Sequence, residues 1–286
     1  MSAFLEALAS QTFLQNALIG GILASVACGV MGAYVVVKRI GFLAGGIAHA
    51  VLGGMGMAYF FGVNPIGGAL AAAVAAALLI GWVSLRWRQN EDTIIAALWA
   101  IGMAIGVLFI SRTPGYNVDL MSYLFGNILM VPRQALYFMA GLDAIILSVV
   151  LLFHKQFLAI CFDEEFARLR GVPVDFFYLL LLVMVALTVV ILIQVVGLIL
   201  VIALLTLPAA IAVLYLRSLS AIMLLAAVLG IAFTSGGLAL SYAPDLPAGA
   251  TMIVLAGATY LVALATRGLL THYQRTKQTG AKARAP

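Results

Sequence analysis

Two ionisable side chains stand inside apolar runs long enough to cross a bilayer. One is His49, in the stretch GFLAGGIAHAVLGGMG; the other is Asp143, in FMAGLDAIILS. A neutral imidazole nitrogen is a good ligand for zinc, manganese or iron(II), and a carboxylate can bind a cation or carry a proton. Either group at membrane depth is costly and usually faces a cavity or a partner. The bland readings are a buried neutral histidine bonded to a neighbouring helix and a protonated or hydrogen-bonded aspartate. The spacing around His49 adds information. On a helix, residues four apart share a face, so one row is Gly45, His49, Gly53 and the next is Gly46, Ala50, Gly54, Ala58. The ring sits on a face bare of side chains. Gly45, Gly53 and Gly54 let another helix approach closely, as small-residue faces do in membranes, and leave room beside the imidazole.

The elements that hold these residues follow from composition. The chain is 65% hydrophobic and 9% charged over 286 residues, with mean hydropathy +1.19. Soluble domains carry about 25% charged residues, so too little polar surface exists to cover a water-facing exterior. The expectation is an all-α polytopic membrane protein, because helices satisfy their own backbone in lipid. Nine apolar stretches approach the ~20 residues needed to span: 14–37, 42–62, 66–85, 93–111, 134–153, 174–193, 195–216, 219–241 and 248–266. Eight spans remain possible. Residues 120–131 are too short to cross and read as a re-entrant or surface-lying segment. Residues 1–271 form a single transmembrane domain, and the basic tail 272–286 is expected to be disordered. The first apolar run has no basic residues before it and reads as a retained span.

Net charge is +5. Lys38, Arg39, Arg86, Arg88, Lys155, Arg168, Arg170, Arg217 and the basic tail fall on one side if nine spans alternate, which places them and the C-terminus in the cytoplasm. No aromatic–basic patch suggests nucleic acid. Cys28 and Cys161 imply no disulfide framework. Neither a GxxxxGK[ST] loop nor an HExxH motif occurs. Any work against a gradient therefore draws on another chain or on an ion gradient.

The loop FDEEFARLRGVPVD encodes a short helix. Asp163 suits the N-cap, Glu164 and Glu165 the positive start, Arg168 and Arg170 the end, and Gly171 the position past it. Phe166 and Leu169 lie on one face as apolar anchors. The alternatives are a solvated connector and a helix that seats in a groove of a cytoplasmic partner. Elsewhere, Asp245 and Pro247 lie in the stiff turn YAPDLPAGA. Pro208, in LLTLPAAIA, is expected to break or kink its span.

Several stretches together resemble the permease subunits of bacterial zinc/manganese/iron ABC importers: GFLAGGIAHAVLGG, NEDTIIAALWAIGMAIGVLF, LFGNIL, FDEEFARLRGVPV, VGLILVIALLTLPAAIA and DLPAGATMIVLAG. The resemblance implies a homodimer in a bacterial plasma membrane, two copies of a separate ATPase and an extracytoplasmic metal-binding receptor. It implies no permanently bound cofactor: the divalent metal is the substrate, and ATP binds the partner subunit. The segment around Asp163, Glu164, Phe166, Leu169, Arg170 and Gly171 would be the coupling helix, and Asp245 and Pro247 would lie on the receptor-facing rim. His49 matches a histidine that related permeases carry in this motif. Many relatives also have an aspartate four residues earlier, where this chain has Gly45; Asp143 is the candidate replacement. Three other functions remain open: an ion-coupled secondary transporter relaying through Asp143 and His49, a permease for a metal chelate of siderophore or cobalamin type, and an intramembrane enzyme, for which no catalytic pair is recognisable.

Overall fold

In a computed structural model, residues 2–86, 91–113, 126 and 128–282 are described. The described elements are helical: α1 (Ser2–Ser10), α2 (Thr12–Lys38), α3 (Gly41–Phe60), α4 (Pro65–Arg86), α5 (Glu91–Arg112), a 3-10 turn (Ile128–Met130), α6 (Arg133–Leu152), α7 (His154–Phe162), α8 (Glu164–Leu169), α9 (Val174–Tyr215), α10 (Leu219–Tyr242) and α11 (Ala248–Lys282). Among the described residues, eight helical segments are long and apolar enough to cross a membrane, and Val201–Tyr215 is a shorter apolar helix. The segment expected to be re-entrant lies largely outside the described residues. The last helix departs from expectation. Its backbone stays helical to Lys282, through residues 272–282 that were expected to be disordered. Arg, Lys and Gln are good helix formers, and they extend a helix already nucleated by the preceding span.

α2 and α9 form the middle of the bundle. α3 packs on α5 and α4 to one side, α10 packs on α2 to the other, and α9 touches both groups. Lipid offers no hydrophobic drive between helices, so close packing has to hold them together. Small residues make that packing possible. A Cβ on Gly32 would lie 2.1 Å from the Leu205 carbonyl oxygen of α9, and one on Gly54 would lie 2.3 Å from the Gly68 carbonyl oxygen of α4. Across the α3–α5 contact, a Cβ on Gly53 would reach within 2.9 Å of the Gly102 carbonyl oxygen.

α9 corrects one expectation. The non-helical backbone falls at Gly197, just past the boundary expected between the stretches 174–193 and 195–216, and a full break is absent at Pro208. Gly197 has φ 72° and ψ 176°, the only non-helical backbone in α9; this region belongs almost exclusively to glycine. Pro208 stays inside a helical run, where the lost N–H is the only hydrogen bond it removes. At Gly197 the chain turns back on itself. Leu179 and Leu182 pack on Gly81, near the Arg86 end of α4, whereas Ile193 shares a cavity with Tyr59 and Pro65 at the opposite end. Past the break, Val195 lies by Gly20, Leu205 by Gly32 and Thr206 by Gly41, back at the end that carries Lys38. The stretches 174–193 and 195–216 are thus two antiparallel arms of one helical element.

Replacing Gly197 with alanine should cost about 1–3 kcal/mol of stability. Thermal unfolding of the purified protein in detergent should show a clearly lower Tm for Gly197→Ala and little change for Pro208→Ala; equal shifts would contradict this account of the turn.

Candidate functional site

His49 is buried in the middle of α3, with 7% of its surface exposed. Its ring lies flat against Trp99 of α5, centroids 3.9 Å apart and planes 11° from parallel. Trp99 also meets Phe42, two turns before His49, at 6.2 Å. The indole therefore lies along α3 from Phe42 to His49, across Gly45. A Cβ on Gly45 would lie 3.4 Å from Trp99 Cζ3 and 2.8 Å from Ile202 Cδ1. The space a side chain at position 45 would need is already occupied by an indole edge and an isoleucine methyl. This explains locally how the chain accommodates glycine where the resembled pattern has aspartate. His49 Nδ1 is buried and has no hydrogen-bond partner. A buried polar atom left without a partner costs on the order of 1–3 kcal/mol, so the site holds a strong acceptor or donor in reserve.

Asp143 does not join His49. Its helix, α6, packs on α2 and α9, whereas α3 packs chiefly on α4, α5 and α9. Asp143 is buried with 4% of its surface exposed. Neither carboxylate oxygen has a hydrogen-bond partner, so no hydrogen bond or ion pair links it to His49. Among the described residues no group of three or more His, Cys, Asp or Glu comes together. What the structure assembles at His49 is a single imidazole in an apolar, aromatic-walled niche.

A cavity of about 430 Å³ opens at the end of the bundle away from Lys38, lined by Tyr59, Asn64, Pro65, Met130, Pro132 and Ile193 among others. It begins at Met55, six residues along α3 from His49. Asn64 shapes its rim by accepting a hydrogen bond from the Ile66 N–H at 2.9 Å, which caps the start of α4. The turn at Asp245 lies after α10 and is exposed. Asp245 takes φ 53°, and the Leu246 N–H donates to the Ser241 carbonyl at 3.0 Å.

The short loop helix is built as the sequence encodes it. Asp163 accepts from the Phe166 N–H at 2.9 Å, and Gly171 takes φ 77° past the end. Phe166 is 51% exposed and Leu169 86% exposed. The Arg170 guanidinium lies 5.1 Å from the Phe166 ring centroid. Glu164 faces back to the body and pairs with Lys38 at 2.5 Å. Trp99, Ile202 and Lys38 are contributions that sequence reading missed. Trp99 sits in a run that reads as plain span, and no local pattern says which residue of another helix will cover Gly45.

Taken together, fold and site define a polytopic helical membrane protein with one buried imidazole on a glycine-walled helix and an exposed capped helix at one end. The chain belongs to the ABC 3 transport family, whose model matches residues 10–267. It is an ABC-transporter permease of the metal-transport type. Three similar proteins illustrate the kinship. A membrane protein of Synechocystis, of uncharacterized function, is 48% identical over 255 residues, covering 89% of this chain and 91% of its own length. The manganese transport system membrane protein MntC of Halalkalibacterium halodurans is 34% identical over 281 residues, covering 97% and 96%. Among solved structures, a chain of PsaBC from Streptococcus pneumoniae, determined in complex with a Fab, superposes with a TM-score of 0.84 at 32% identity, covering 92% of this chain and 94% of that one.

Because Asp143 has no partner, its neutral isostere should be tolerated. Asp143→Asn is expected to leave the Tm close to wild type, since the amide keeps the shape of the carboxyl group and there is no hydrogen bond to lose; a pronounced fall would reveal a partner that needs the carboxyl group.

Proposed function

We propose that this chain is the membrane-spanning half of an ATP-driven importer of a divalent transition metal, with manganese the foremost candidate. Two copies would flank the path, each seating one copy of a separate ATPase, and an extracytoplasmic receptor would deliver the ion over the rim at Asp245 and Pro247. The basic end of the bundle, with Lys38, α8 and the C-terminus, lies in the cytoplasm of a bacterial cell on this reading, which the positive-inside rule supports. No cofactor is held permanently: the metal is cargo, and ATP is bound and hydrolysed by the partner.

The observation that carries the proposal is His49. Its unpartnered, buried nitrogen gives a passing divalent cation one imidazole ligand, and neutral imidazole accepts manganese, iron and zinc alike. A single ligand binds weakly, which suits a path that must also release its ion. The aromatic and glycine walls keep the ring from collapsing onto a competing donor. ATP binding to the partner would favour one of two bundle arrangements by differential affinity, and α8 would carry that preference inward. The kinship with the manganese system protein supports manganese, and the family supports the ATPase.

The test is manganese uptake into cells that co-express the chain with an ATPase and a receptor. His49→Ala should lower uptake by about tenfold or more while the ATPase still co-purifies; undiminished uptake would remove His49 from the path. Phe166→Asp should abolish co-purification of the ATPase, because a charge replaces an aromatic anchor at a buried interface. Retained stoichiometric ATPase would show that α8 is not where it docks.

A further inference from the structure

Lys38 ends α2, yet its amine is shared among three other helices. Nζ donates to Glu164 Oε1 of α8 at 2.5 Å and to the Ile160 carbonyl in the last turn of α7 at 2.8 Å. It also lies 5.4 Å from the centroid of the Tyr178 ring in the first turns of α9. Tyr178 in turn shares a hydrogen bond with Ser84 of α4 at 3.2 Å. The Lys38 side chain is only 10% exposed. One turn earlier on the same face of α2, Tyr34 reaches His154 Nδ1 at 3.5 Å and meets the Phe157 ring edge-on at 5.6 Å. The last turn of α2 therefore grips α7 along its whole length and takes hold of the start of α8 beyond it. Burial with these neighbours also pushes the nearby Cys161 thiol up to about 11, although Lys38 opposes the rise, so the cysteine adds no charge to the cluster near neutral pH.

The other side of Lys38 leads straight to His49. Arg39 takes φ 61°, its N–H donates to the Val36 carbonyl at 3.2 Å, and the Ile40 N–H donates to the Val35 carbonyl at 3.0 Å. This left-handed cap closes α2. The Ala44 N–H then bonds the Ile40 carbonyl at 3.2 Å as α3 begins. Only Arg39 and Ile40 separate Lys38 from Gly41, the first residue of the helix that carries His49. α8 has a second tether, Arg168 to Asp175 of α9, but its side chains are 49% and 58% exposed, and pairs so open to water contribute little.

We infer that Lys38 is the transmission residue of this permease: through its shielded bond to Glu164 it makes the exposed helix and the α2–α3 elbow move as one, so that events at α8 reach the His49 helix. This rests on the reading of α8 as the ATPase seat. Lys38 touches neither metal nor nucleotide on that reading, and acts by holding position.

The experiment uses the full complex of chain, ATPase and receptor in proteoliposomes, with radiolabelled manganese as the probe. It reads manganese accumulated per ATP hydrolysed, beside the amount of ATPase bound. Lys38→Met and Glu164→Gln should each reduce that ratio by about fivefold or more, the lower end of usual coupling strengths, with ATPase binding intact. The charge exchange Lys38→Glu with Glu164→Lys should recover much of the loss, and Asp175→Asn should leave the ratio near wild type. Glu164→Gln, at the more exposed partner, carries the test should Lys38→Met prove unstable. An unchanged ratio in Glu164→Gln, or an equal loss in Asp175→Asn, overturns the inference. Wild-type chain that binds no ATPase at all would instead overturn the reading of α8.

Discussion

The structure depends on how closely α3 can approach its neighbours. Inside a bilayer, burying apolar surface against a second helix gains nothing over burying it in lipid, so stability has to come from contact density and from backbone brought near backbone. α3 meets that requirement on two sides at once. Gly53 and Gly56 lie against the Gly102 and Gly106 carbonyls of α5, while Gly54 lies against Gly68 of α4. Any side chain at these points would force the helices apart by more than the fit allows. The same shortage of side chains that draws the helices together leaves the His49 ring as the largest object on its row, and Trp99 is placed to cover it.

That arrangement reconciles two demands of the proposed role. A polar ring at membrane depth needs shelter from lipid, and a ligand for a passing ion needs a nitrogen not already bonded. Stacking meets the first demand without spending the second, because the indole covers the ring face and leaves the ring-edge nitrogens alone. A hydrogen-bonding neighbour in the place of Trp99 would satisfy the imidazole and silence it. Ile202 contributes from the returning arm of α9, which reaches this level only because Gly197 lets the chain fold back. The niche therefore joins three elements far apart in sequence, and a change in the turn at Gly197 is felt at Gly45.

Much of this architecture was legible beforehand. Composition and the length of apolar runs gave the membrane class, and the end points 193 and 195 bracketed the α9 turn to within a few residues. The capped helix after Asp163 could be read residue by residue, since caps, dipole charges and Gly171 are local chemistry. What was not legible was which long-range contact would form. Pro208 is the loudest breaker in its segment, yet the helix tolerates it, because a proline removes one hydrogen bond whereas reversing a chain requires a backbone conformation only glycine supplies. Asp143, the candidate replacement ligand, makes no hydrogen bond to His49 within one chain, for a related reason. Depth along two helices can be counted from sequence, but which helices are neighbours cannot, and α6 packs on α2 and α9.

The contrast between His49 and Asp143 bears on how an intramembrane charge should be weighed. Both are buried and both lack a hydrogen-bond partner, so neither criterion alone separates a working group from a tolerated one. Surroundings separate them. His49 lies on a helix whose foot is tied by a tight elbow to Lys38 and so to the exposed, anchor-bearing α8, and an aromatic plate fixes its ring. Asp143 has no comparable connection: its helix packs along α2 and α9, and nothing described there positions its oxygens. A carboxyl group can stand in apolar surroundings as a neutral acid at modest cost, giving up its charge in place of finding a partner. Histidine reaches neutrality more easily still, and in that form keeps the lone pair a metal needs. Under the proposed import function an oriented, unbonded nitrogen is what an ion would meet, and of the two buried groups His49 is the one whose ring is held in place.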